Sequence, residues 1–310
     1  MTVLKSDISW TTGTLNLTVG CTRVSAACDN CYAATLVHRL MGGGFYERMR
    51  FHPERLKDLR KFAPARNGQG ELEPKMVFVN SLSDFWHEAI PSAFVNQALD
   101  AFERHPATIF QILTKRPGRM RRFVEDRYGN SGVPAHFWLG VTCEDNRVKR
   151  TLDILRATKD RVGEFTAFAS VEPITAPCDE LDYTGLDWVL TGGESGPRAR
   201  PMQFEWLEQA NEKALSAGIP LHFKQYGQPR NNPQVLRLMK RYGIGVSAAF
   251  KFACDNRFEL APHEKGGATY KRRVYNEKPA HWHRLKAELN RGNLVADQAT
   301  ARQRRGPAAV

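Results

Sequence analysis

The 310-residue sequence lacks the features that mark several common classes of protein. It has no run of about 18 apolar residues, so we expect no transmembrane helix and no membrane partner. Its N-terminus lacks the apolar core of a signal peptide, so we expect a cytoplasmic protein. It has no P-loop and no GxGxxG motif after a predicted strand, which argues against the common nucleotide-binding folds.

Disulfides are a further feature that we expect to be missing. The chain has six cysteines, and in a reducing compartment cysteines serve as ligands or buried thiols rather than as disulfides. Cys143, Cys178 and Cys254 are scattered along the chain, and we interpret each as a buried or incidental thiol. A hydrophobic content of 42% with 10% aromatic residues predicts a globular protein with a substantial core.

The other three cysteines, Cys21, Cys28 and Cys31, are spaced C-x6-C-x2-C, with no histidine among them and no fourth cysteine nearby. A structural zinc site closes with four protein ligands. Three thiolates with an open fourth position instead suit a 4Fe-4S cluster that leaves one iron available for a substrate or cofactor. The spacing therefore favours a catalytic iron–sulfur site.

Short apolar segments alternate with helical patterns through the first 227 residues. The apolar segments are nearly continuous, as in parallel strands that are covered on both faces. Repeated alternation favours an α/β fold, and a full or partial (β/α) barrel fits it better than a doubly wound sheet. We predict strands at residues 15–20, 76–80, 109–114, 137–142, 165–170, 187–191 and 221–224, and helices at residues 33–41, 53–62, 92–104, 117–127, 145–157 and 203–217.

Every predicted strand ends in polar or ionisable residues. In parallel barrels the functional groups gather at the C-terminal ends of the strands, so we predict a shared polar cavity there. A single such ending is also explained without a ligand, since Ser170 or Thr114 alone fits a helix N-cap. The candidate residues at these ends are Asn80, Ser81, Asp84, Lys115, Arg116, Thr142, Glu144, Ser170, Glu172, Gly192, Gly193, Glu194 and Lys224.

Several strand ends have two interpretations. The turn at residues 192–194 presents a carboxylate and free backbone amides to an amino-acid-like ligand, or it is an ordinary strand-to-helix turn. Lys115 and Arg116 either neutralise a bound carboxylate or phosphate, or form a surface pair. Glu144 and Glu172, if they point inward, should each meet a strand-end cation or a ligand hydroxyl, because an unpaired buried carboxylate is costly.

Nearly all of the formal net charge of +12 lies in the last quarter of the chain. Residues 228–310 contain 17 Lys/Arg and 6 Asp/Glu, whereas residues 1–227 contain 28 and 27. A basic segment favours a polyanionic partner, because binding to phosphates releases counterions, although a solvated tail has a similar composition. Aromatic residues alternate with the cations, which suits stacked bases. These residues are Tyr270, Lys271, Arg272, Arg273, Tyr275, Trp282, His283 and Arg284.

We therefore divide the chain into three parts. Residues 1–227 are the predicted (β/α) unit, residues 228–295 a basic C-terminal region in possible contact with nucleic acid, and residues 296–310 a disordered tail. His222 lies within an apolar strand and is predicted to be a core residue with its hydrogen bonds satisfied.

The cysteine triad and the strand ends together resemble the radical S-adenosylmethionine (SAM) superfamily. More closely, the chain is similar to the phage-associated three-cysteine family of radical-SAM-like proteins, which occur in phages and mobile elements. The resemblance covers roughly residues 8–227 and has its motifs in the family's order. They are Trp10, Asn16, Gly20, Cys21 and the segments 28–33 (CDNCYA), 79–84 (VNSLSD), 113–117 (LTKRP), 139–142 (LGVT), 170–173 (SVEP), 192–196 (GGESG), 200–201 (RP) and 223–225 (FKQ).

The resemblance implies a barrel of radical SAM type with a 4Fe-4S cluster on the three cysteines and SAM on the open iron. Reductive cleavage of SAM would then yield a 5′-deoxyadenosyl radical. Two departures are the six-residue first gap and the position of Gly-Gly-Glu after the sixth strand instead of the second.

The expected residue roles follow from the same resemblance. The amino group of SAM is assigned to Asn80, Ser81 and Asp84, and the ribose to Thr142 and Glu144. Further expected contacts to the cofactor are made by Tyr32, Ser170, Gly192, Gly193 and Glu194, the last three contacting cofactor or substrate. The expected catalytic residues are Lys115, Arg116, Glu172 and Lys224.

The expected activity is radical chemistry on a nucleic acid base, with DNA favoured over RNA, as in modification or isomerisation of phage DNA. Such an enzyme needs an electron donor for the cluster and would act in the host cytoplasm if it is phage-encoded. A base inside a duplex is inaccessible, so the target would be flipped out or single-stranded. The alternatives are tRNA modification, DNA repair like that of spore photoproduct lyase, and a non-catalytic nucleic-acid-binding protein stabilised by a cluster or zinc.

Overall fold

The computed structural model describes residues 2–196, 198–255, 269–270, 273–292 and 294, and these residues form fourteen strands and eight α-helices. The strands are β1 (Thr2–Val3), β2 (Gly13–Leu15), β3 (Thr18–Val19), β4 (Arg50–Phe51), β5 (Ala65–Arg66), β6 (Leu72–Glu73), β7 (Lys75–Val79), β8 (Thr108–Thr114), β9 (Phe137–Thr142), β10 (Thr166–Val171), β11 (Trp188–Gly192), β12 (Leu221–Gln225), β13 (Thr269–Tyr270) and β14 (Arg273–Val274). The α-helices are α1 (Tyr32–Met41), α2 (Ser92–Glu103), α3 (Pro117–Tyr128), α4 (Arg150–Val162), α5 (Phe204–Ser216), α6 (Pro233–Tyr242), α7 (Val246–Asp255) and α8 (Ala280–Asn290). Shorter 3-10 turns lie at Ala26–Cys28, Asn146–Val148 and Pro229–Asn231, and Pro53–Phe62 is a longer 3-10 helix.

Eight of the strands form one mostly parallel sheet in the order β1-β2-β7-β8-β9-β10-β11-β12. The β1–β2 pair is antiparallel and all later pairs are parallel. Neighbours from β7 onward follow the order of the chain, as expected from repeated β–α units. This arrangement confirms the predicted α/β class and parallel sheet, and closure into a full or partial barrel stays a prediction.

The first predicted strand is the main difference from the sequence analysis. Residues 15–20 do not form one strand, because the chain leaves the sheet after β2 and pairs with β4 through β3. The side-chain Oδ1 of Asn80 accepts hydrogen bonds from the amides of Leu17 and Thr18 at 2.8 and 3.3 Å. A side chain therefore replaces strand pairing at this break.

Helices α2 to α5 cover one face of the sheet. The strands β8 to β11 are almost entirely buried, which explains their continuous apolar sequences. Phe110 of β8 stacks on Phe102 of α2 with ring centroids 4.3 Å apart. The main core includes Val77, Val79, Phe110, Ile112, Phe137, Leu139, Val171, Val189 and Phe223 with Val95, Leu99, Met120, Val124, Leu155 and Leu207.

The opposite face of the sheet carries a second, aromatic core. Trp138, Phe168 and Trp188 project from β9, β10 and β11 and are fully buried there. Gly140 makes room for them, since a Cβ atom at that position would lie 2.4 Å from the ring of Phe168. Trp10 packs against Phe78 with ring centroids 4.7 Å apart, so the N-terminal segment closes part of this face.

The C-terminal segment closes the rest of the aromatic face. Leu285 and Leu289 of α8 are buried in the second core. The indole nitrogen of Trp138 donates to Nδ1 of His281 at 2.9 Å, and that of Trp188 donates to the carbonyl of Glu277 at 2.9 Å. The division of the chain at residue 227 stays a prediction, but residues 275–290 clearly pack on the sheet.

Part of the basic C-terminal region therefore has a structural role. Tyr275 is buried in the main core, so its ring is not available for stacking on bases. Trp282 packs against the second core, with the Lys286 ammonium 5.5 Å from its ring centroid. Lys271, Arg272 and the predicted tail at residues 296–310 lie outside the described residues, as do the side chains of Cys254, Tyr270 and Arg273.

His222 connects three distant parts of the chain. Its Nε2 lies 2.9 Å from Oγ of Ser9, and its Nδ1 lies 3.0 Å from Oδ1 of Asn276. The side chain is fully buried. These contacts confirm the prediction of a core histidine with satisfied hydrogen bonds.

Among the described residues, no helix combines the length and apolar character needed to cross a bilayer.

Burial makes the stability of this fold depend on pH. Desolvation lowers the pKa of His222 from 6.5 to about 3, with a smaller lowering from Lys278 that outweighs the hydrogen bond to Asn276. The unfolded chain therefore binds the proton more readily between these two values. The stabilisation that comes from keeping His222 neutral is fully present above about pH 6.5, and it is lost as the pH falls toward 3.

We expect acidification from pH 7.5 to 5 to remove about 2 kcal/mol of unfolding free energy through His222 alone. Urea unfolding at the two pH values measures the total difference, and His222→Gln should shrink that difference by about the same amount. His136, which is also buried and has its pKa lowered to about 4 by desolvation, provides a second variant, His136→Gln. An unchanged pH difference in both variants would contradict the prediction.

Candidate functional site

A cavity of about 600 Å³ lies at the C-terminal ends of the parallel strands. Most of the candidate residues from the sequence line it, which is the shared cavity that the strand ends predict. These lining residues are Cys21, Cys28, Cys31, Tyr32, Asn80, Ser81, Asp84, Lys115, Arg116, Thr142, Ser170, Glu172, Gly193, Glu194 and Lys224. Gly192 and Glu144 are not part of the lining, although each is next to or near a residue that is.

The three cysteines enter the cavity from one loop. Cys21 follows β3, Cys28 ends a 3-10 turn, and Cys31 immediately precedes α1. Their side chains are free thiols. In the described part of the chain, no three histidine, cysteine or acidic side chains are grouped closely enough to hold a metal ion. The fold thus brings the thiols to one cavity, while the predicted metal coordination itself stays a prediction.

Arg116 fixes the first part of this loop. Its buried guanidinium donates to Oγ1 of Thr22 at 2.7 Å and to Glu88 at 2.8 Å, and forms an ion pair with Asp84 at 3.2 Å. Its Nη1 also lies 3.7 Å from Sγ of Cys21. Burial raises the pKa of the Cys21 thiol, an effect that the charge of Arg116 partly opposes. The carboxylates that Arg116 neutralises here are therefore the protein's own.

Asp84 is the acceptor at the centre of this network. Oδ1 accepts from Oγ1 of Thr114 at 2.7 Å and from the amide of Trp86 at 3.0 Å. Oδ2 accepts from the amide of Lys115 at 2.9 Å and from Arg116. A carboxylate has about four acceptor positions, and protein donors occupy four of them. The expected contact of Asp84 with the SAM amino group stays a prediction.

Asn80 and Ser81 connect the second predicted strand end to the cysteine-bearing segment. Asn80 has a positive φ of 59°, which asparagine tolerates better than most residues. Its Nδ2 donates to Oγ1 of Thr18 at 2.9 Å. Ser81 donates to Asn16 at 3.2 Å, and its carbonyl accepts from the hydroxyl of Tyr32 at 2.7 Å. This strand end is thus anchored to α1 as well as to the chain break after β2.

The two carboxylates expected to need a partner have different environments. Glu172 pairs with Lys224, with Oε1 and Nζ 3.1 Å apart at the wall of the cavity, which confirms the expected pairing. Glu144 is only 2% exposed, and its Oε1 has no hydrogen-bond partner among the described residues. Of the two partners predicted for Glu144, a strand-end cation does not bond this oxygen within the described residues, and a ligand hydroxyl stays a prediction.

The Gly-Gly-Glu turn is explained largely by packing. The amide of Gly193 donates to the carbonyl of Gln225 at 2.9 Å, so the expectation of a free amide at this position is wrong. A Cβ atom on Gly193 would lie 2.3 Å from the carbonyl oxygen of Tyr226. Glu194 accepts from Nη2 of Arg200 at 2.5 Å and from Asn30 at 3.1 Å. The carboxylate thus links the turn to the cysteine loop.

Burial and hydrogen bonding act in opposite directions on Glu194. Desolvation raises its pKa, and the hydrogen bonds from Arg200 and Asn30 lower it, with a net shift below the ordinary value. Glu194 therefore stays ionised at neutral pH. Asn30 lies between two of the three cysteines, but the sequence contains no signal for its contact with a residue 164 positions away.

The aromatic lining of the cavity was not predicted from the sequence. Trp10, Phe45, Tyr46 and Phe78 contribute apolar surface beside the polar strand ends. The guanidinium of Arg23 stacks over the ring of Tyr46, 4.2 Å from the ring centroid. Phe45 and Tyr46 follow three glycines in an irregular segment, where periodicity indicates neither burial nor direction.

The sequence matches, over residues 5–279, the family described as protein of unknown function DUF5131. The chain belongs to this family. The match includes every residue that lines the cavity and continues through the segment that pairs with β12. No curated protein matches the sequence significantly. Among solved structures, the chain is similar to a mutant of spore photoproduct lyase, with a TM-score of 0.43 and 14% sequence identity. The similarity covers 63% of this chain and 61% of that chain.

The Asp84–Arg116 pair should be the main stabilising contact of the cavity in this DUF5131 protein. Arg116→Met leaves a carboxylate buried without its cation, so we expect a loss of about 3–5 kcal/mol of unfolding free energy. Urea unfolding measures this loss. The matched control is Arg121→Met on α3, which breaks the surface pair with Glu125 at 2.7 Å and should cost about 0.5 kcal/mol.

A double variant separates the charge pair from simple packing. Asp84→Leu combined with Arg116→Met removes both charges and should recover part of the loss seen with Arg116→Met alone. Equal losses for Arg116→Met and Arg121→Met would contradict a central role for this pair.

Proposed function

We propose that this protein is a radical SAM enzyme that acts on a nucleic acid base. The observation that carries the proposal is that Cys21, Cys28 and Cys31 line one cavity at the C-terminal ends of parallel strands. That edge is where parallel α/β enzymes bind substrates and cofactors. Polar groups from every strand from β7 to β12 surround the thiols, so one cavity contains both a candidate cluster site and candidate ligand contacts.

The three cysteines are the residues that would hold a 4Fe-4S cluster, and their donor chemistry fits it. Thiolate is the usual protein ligand of iron–sulfur clusters, and three thiolates leave one iron for SAM. When bound and reduced, the cluster and SAM supply a 5′-deoxyadenosyl radical that abstracts hydrogen from a substrate. Arg116 would then act on the Cys21 sulfur as a nearby donor and would hold the loop in place.

The remaining cofactor contacts are proposed from the cavity lining. Tyr32, Asn80, Ser81, Asp84, Thr142, Ser170, Gly193 and Glu194 all line it. Glu144 lies outside this lining, two residues after Thr142, and we propose it as a contact to a ribose hydroxyl because its buried Oε1, which has no partner among the described residues, would be satisfied by a donor from a ligand. Glu172 and Lys224 form an ion pair beside these residues. Lys115 is a further cation in the lining of the cavity.

The sheet geometry proposed for this enzyme is a partial barrel. Its support is the sequential strand order from β7 to β12 together with an aromatic core on the face opposite the helices. Trp10 and α8 fill that face, as side chains fill the interior of a small barrel.

The proposed substrate class rests on the charge distribution. Helix α6 presents Arg237, Lys240 and Arg241 to solvent, and it lies in the last quarter of the chain, where residues 228–310 carry a net charge of +11. Phosphate backbones bind such surfaces. DNA is favoured over RNA in this proposal, and an electron donor for reduction of the cluster is the second proposed partner. The proposed location is the cytoplasm.

Iron binding and SAM turnover test the enzyme proposal directly. We expect anaerobically reconstituted protein to bind about four irons, absorb near 400 nm, and release 5′-deoxyadenosine when reduced with SAM present. The Cys28→Ala variant should lack the cluster absorbance, because two thiolates do not hold the cluster. Its yield of 5′-deoxyadenosine should be about 100-fold lower than that of the unaltered protein. Cys178→Ala is the control, since Cys178 is buried away from the cavity.

One outcome would contradict the enzyme proposal. Binding of about one zinc, with no cluster absorbance and no 5′-deoxyadenosine, would indicate a zinc-stabilised binding protein instead. Comparing nucleoside digests of DNA and RNA with and without the gene then identifies which polymer is modified.

The basic helix has its own test. Neutralising Arg237, Lys240 and Arg241 together to glutamine should lower the slope of log K against log salt by about 2 for a single-stranded oligonucleotide, since each phosphate contact contributes about 0.7. Substitution is preferable to truncation, because deleting residues 228–310 would also remove Tyr275, Leu285 and Leu289 from the cores. An unchanged slope would exclude α6 as the docking surface.

A further inference from the structure

A second, smaller cavity opens beside the first. It has a volume of about 270 Å³ and lies between α1 and the segment that follows β11. Asn30, Tyr32 and Ser195 line both cavities, so the two are adjacent and share a wall. The remaining lining residues are Thr35, Leu36, Arg39, Gly196 and Arg198.

The two cavities differ in their charge balance. Four acidic residues line the first, and three of them, Asp84, Glu172 and Glu194, each form an ion pair with a cation of the protein. The lining of the second contains two arginines and no acidic residue. Arg39 and Arg198 are exposed, and within the described ranges neither guanidinium has an ion-pair partner. Unpaired guanidinium groups are the protein groups best suited to binding phosphate.

Tyr32 stands at the boundary between the cavities. The residue is 50% exposed. Its hydroxyl donates to the carbonyl of Ser81 at 2.7 Å, so the ring is held in one place although it faces solvent. A fixed, exposed aromatic ring next to arginines is the combination on which single-stranded nucleic acids stack their bases.

We propose that the second cavity is a subsite for the sugar–phosphate backbone of a single-stranded or flipped nucleotide, with its base against Tyr32. Arg39 and Arg198 bind the phosphates, and the shared wall directs the base toward the first cavity. The subsite gives the proposed function a substrate entrance and rests on that function only for the chemistry that follows binding. It is distinct from the basic helix α6, which lies elsewhere in the chain.

Fluorescence anisotropy with a labelled single-stranded DNA 12-mer tests the subsite. Binding is measured on the full-length protein, once as purified and once after anaerobic reconstitution with iron and sulfide. Arg39→Gln with Arg198→Gln should weaken binding by about tenfold at moderate salt. The slope of log K against log salt should fall by about 1.4, because two phosphate contacts are lost. The matched control is Arg104→Gln with Arg161→Gln.

That control removes the same charge from the opposite edge of the sheet. Arg104 caps the C-terminal end of α2, and Arg161 lies in the last turn of α4. Helices that follow parallel strands end near the N-terminal edge of the sheet, away from both cavities. Both arginines are exposed, so their loss should leave the fold intact. The control should change affinity less than twofold.

Tyr32 distinguishes a nucleotide site from a plain anion site. Tyr32→Ala should weaken 12-mer binding by about tenfold, whereas Tyr32→Phe, which keeps the ring, should weaken it by less than threefold. Inorganic phosphate at millimolar concentration should compete with the 12-mer in the unaltered protein. An effect of the arginine pair without any effect of Tyr32→Ala would overturn the assignment to a nucleotide.

Failure of the subsite is separable from failure of the proposed function. If the unaltered protein binds the 12-mer and the Arg39/Arg198 pair behaves like the control pair, the subsite is overturned and the nucleic acid substrate stands. If the unaltered protein does not bind the 12-mer, the nucleic acid substrate itself is overturned. Production of 5′-deoxyadenosine is measured independently of both results.

Discussion

The buried ion pair between Asp84 and Arg116 is the contact on which the architecture of the cavity depends. Asp84 follows β7 and Arg116 follows β8, so the pair joins two neighbouring strand ends. Arg116 then extends to Thr22 and Cys21 and thereby attaches the cysteine loop to the sheet. A loop with little regular structure is in this way positioned by two rigid strands. Desolvation makes such a pair expensive, and here the cost is offset by the full set of donors around Asp84.

The polar cavity contains mainly satisfied charges, and this shapes what can bind there. Glu172 with Lys224 and Glu194 with Arg200 are internally neutral pairs. A ligand that enters must therefore be recognised through hydrogen bonds and apolar contact more than through its net charge. In our proposal, anions bind instead in the neighbouring cavity, at Arg39 and Arg198. The separation of the two properties matches the two ends of a nucleotide, one neutral and aromatic and the other anionic.

The sequence predicts the α/β class and the gathering of strand-end residues because both follow from short-range patterns. A continuous apolar strand followed by a polar residue has a clear meaning in a parallel sheet, and Thr114 or Ser170 could be placed on that basis. Contacts between distant segments carry no such pattern. The bond between Asn30 and Glu194 and the burial of Tyr275 both depend on how loops fold over the strands. For the same reason the prediction of one strand at residues 15–20 was wrong. The side-chain oxygen of Asn80 accepts a hydrogen bond from the amide of Leu17 and interrupts the strand there.

The aromatic core opposite the helices has a consequence for how the protein is made. It is lined by strands from the middle of the chain, covered at one side by Trp10 and at the other by α8. The link from Ser9 through His222 to Asn276 spans nearly the whole sequence. During synthesis the helices α2 to α5 can cover their face as each emerges, while the tryptophan face stays open until Asn276 and α8 have left the ribosome. A nascent chain therefore carries an exposed aromatic surface through most of its translation, until α8, the last of the described helices, shields it.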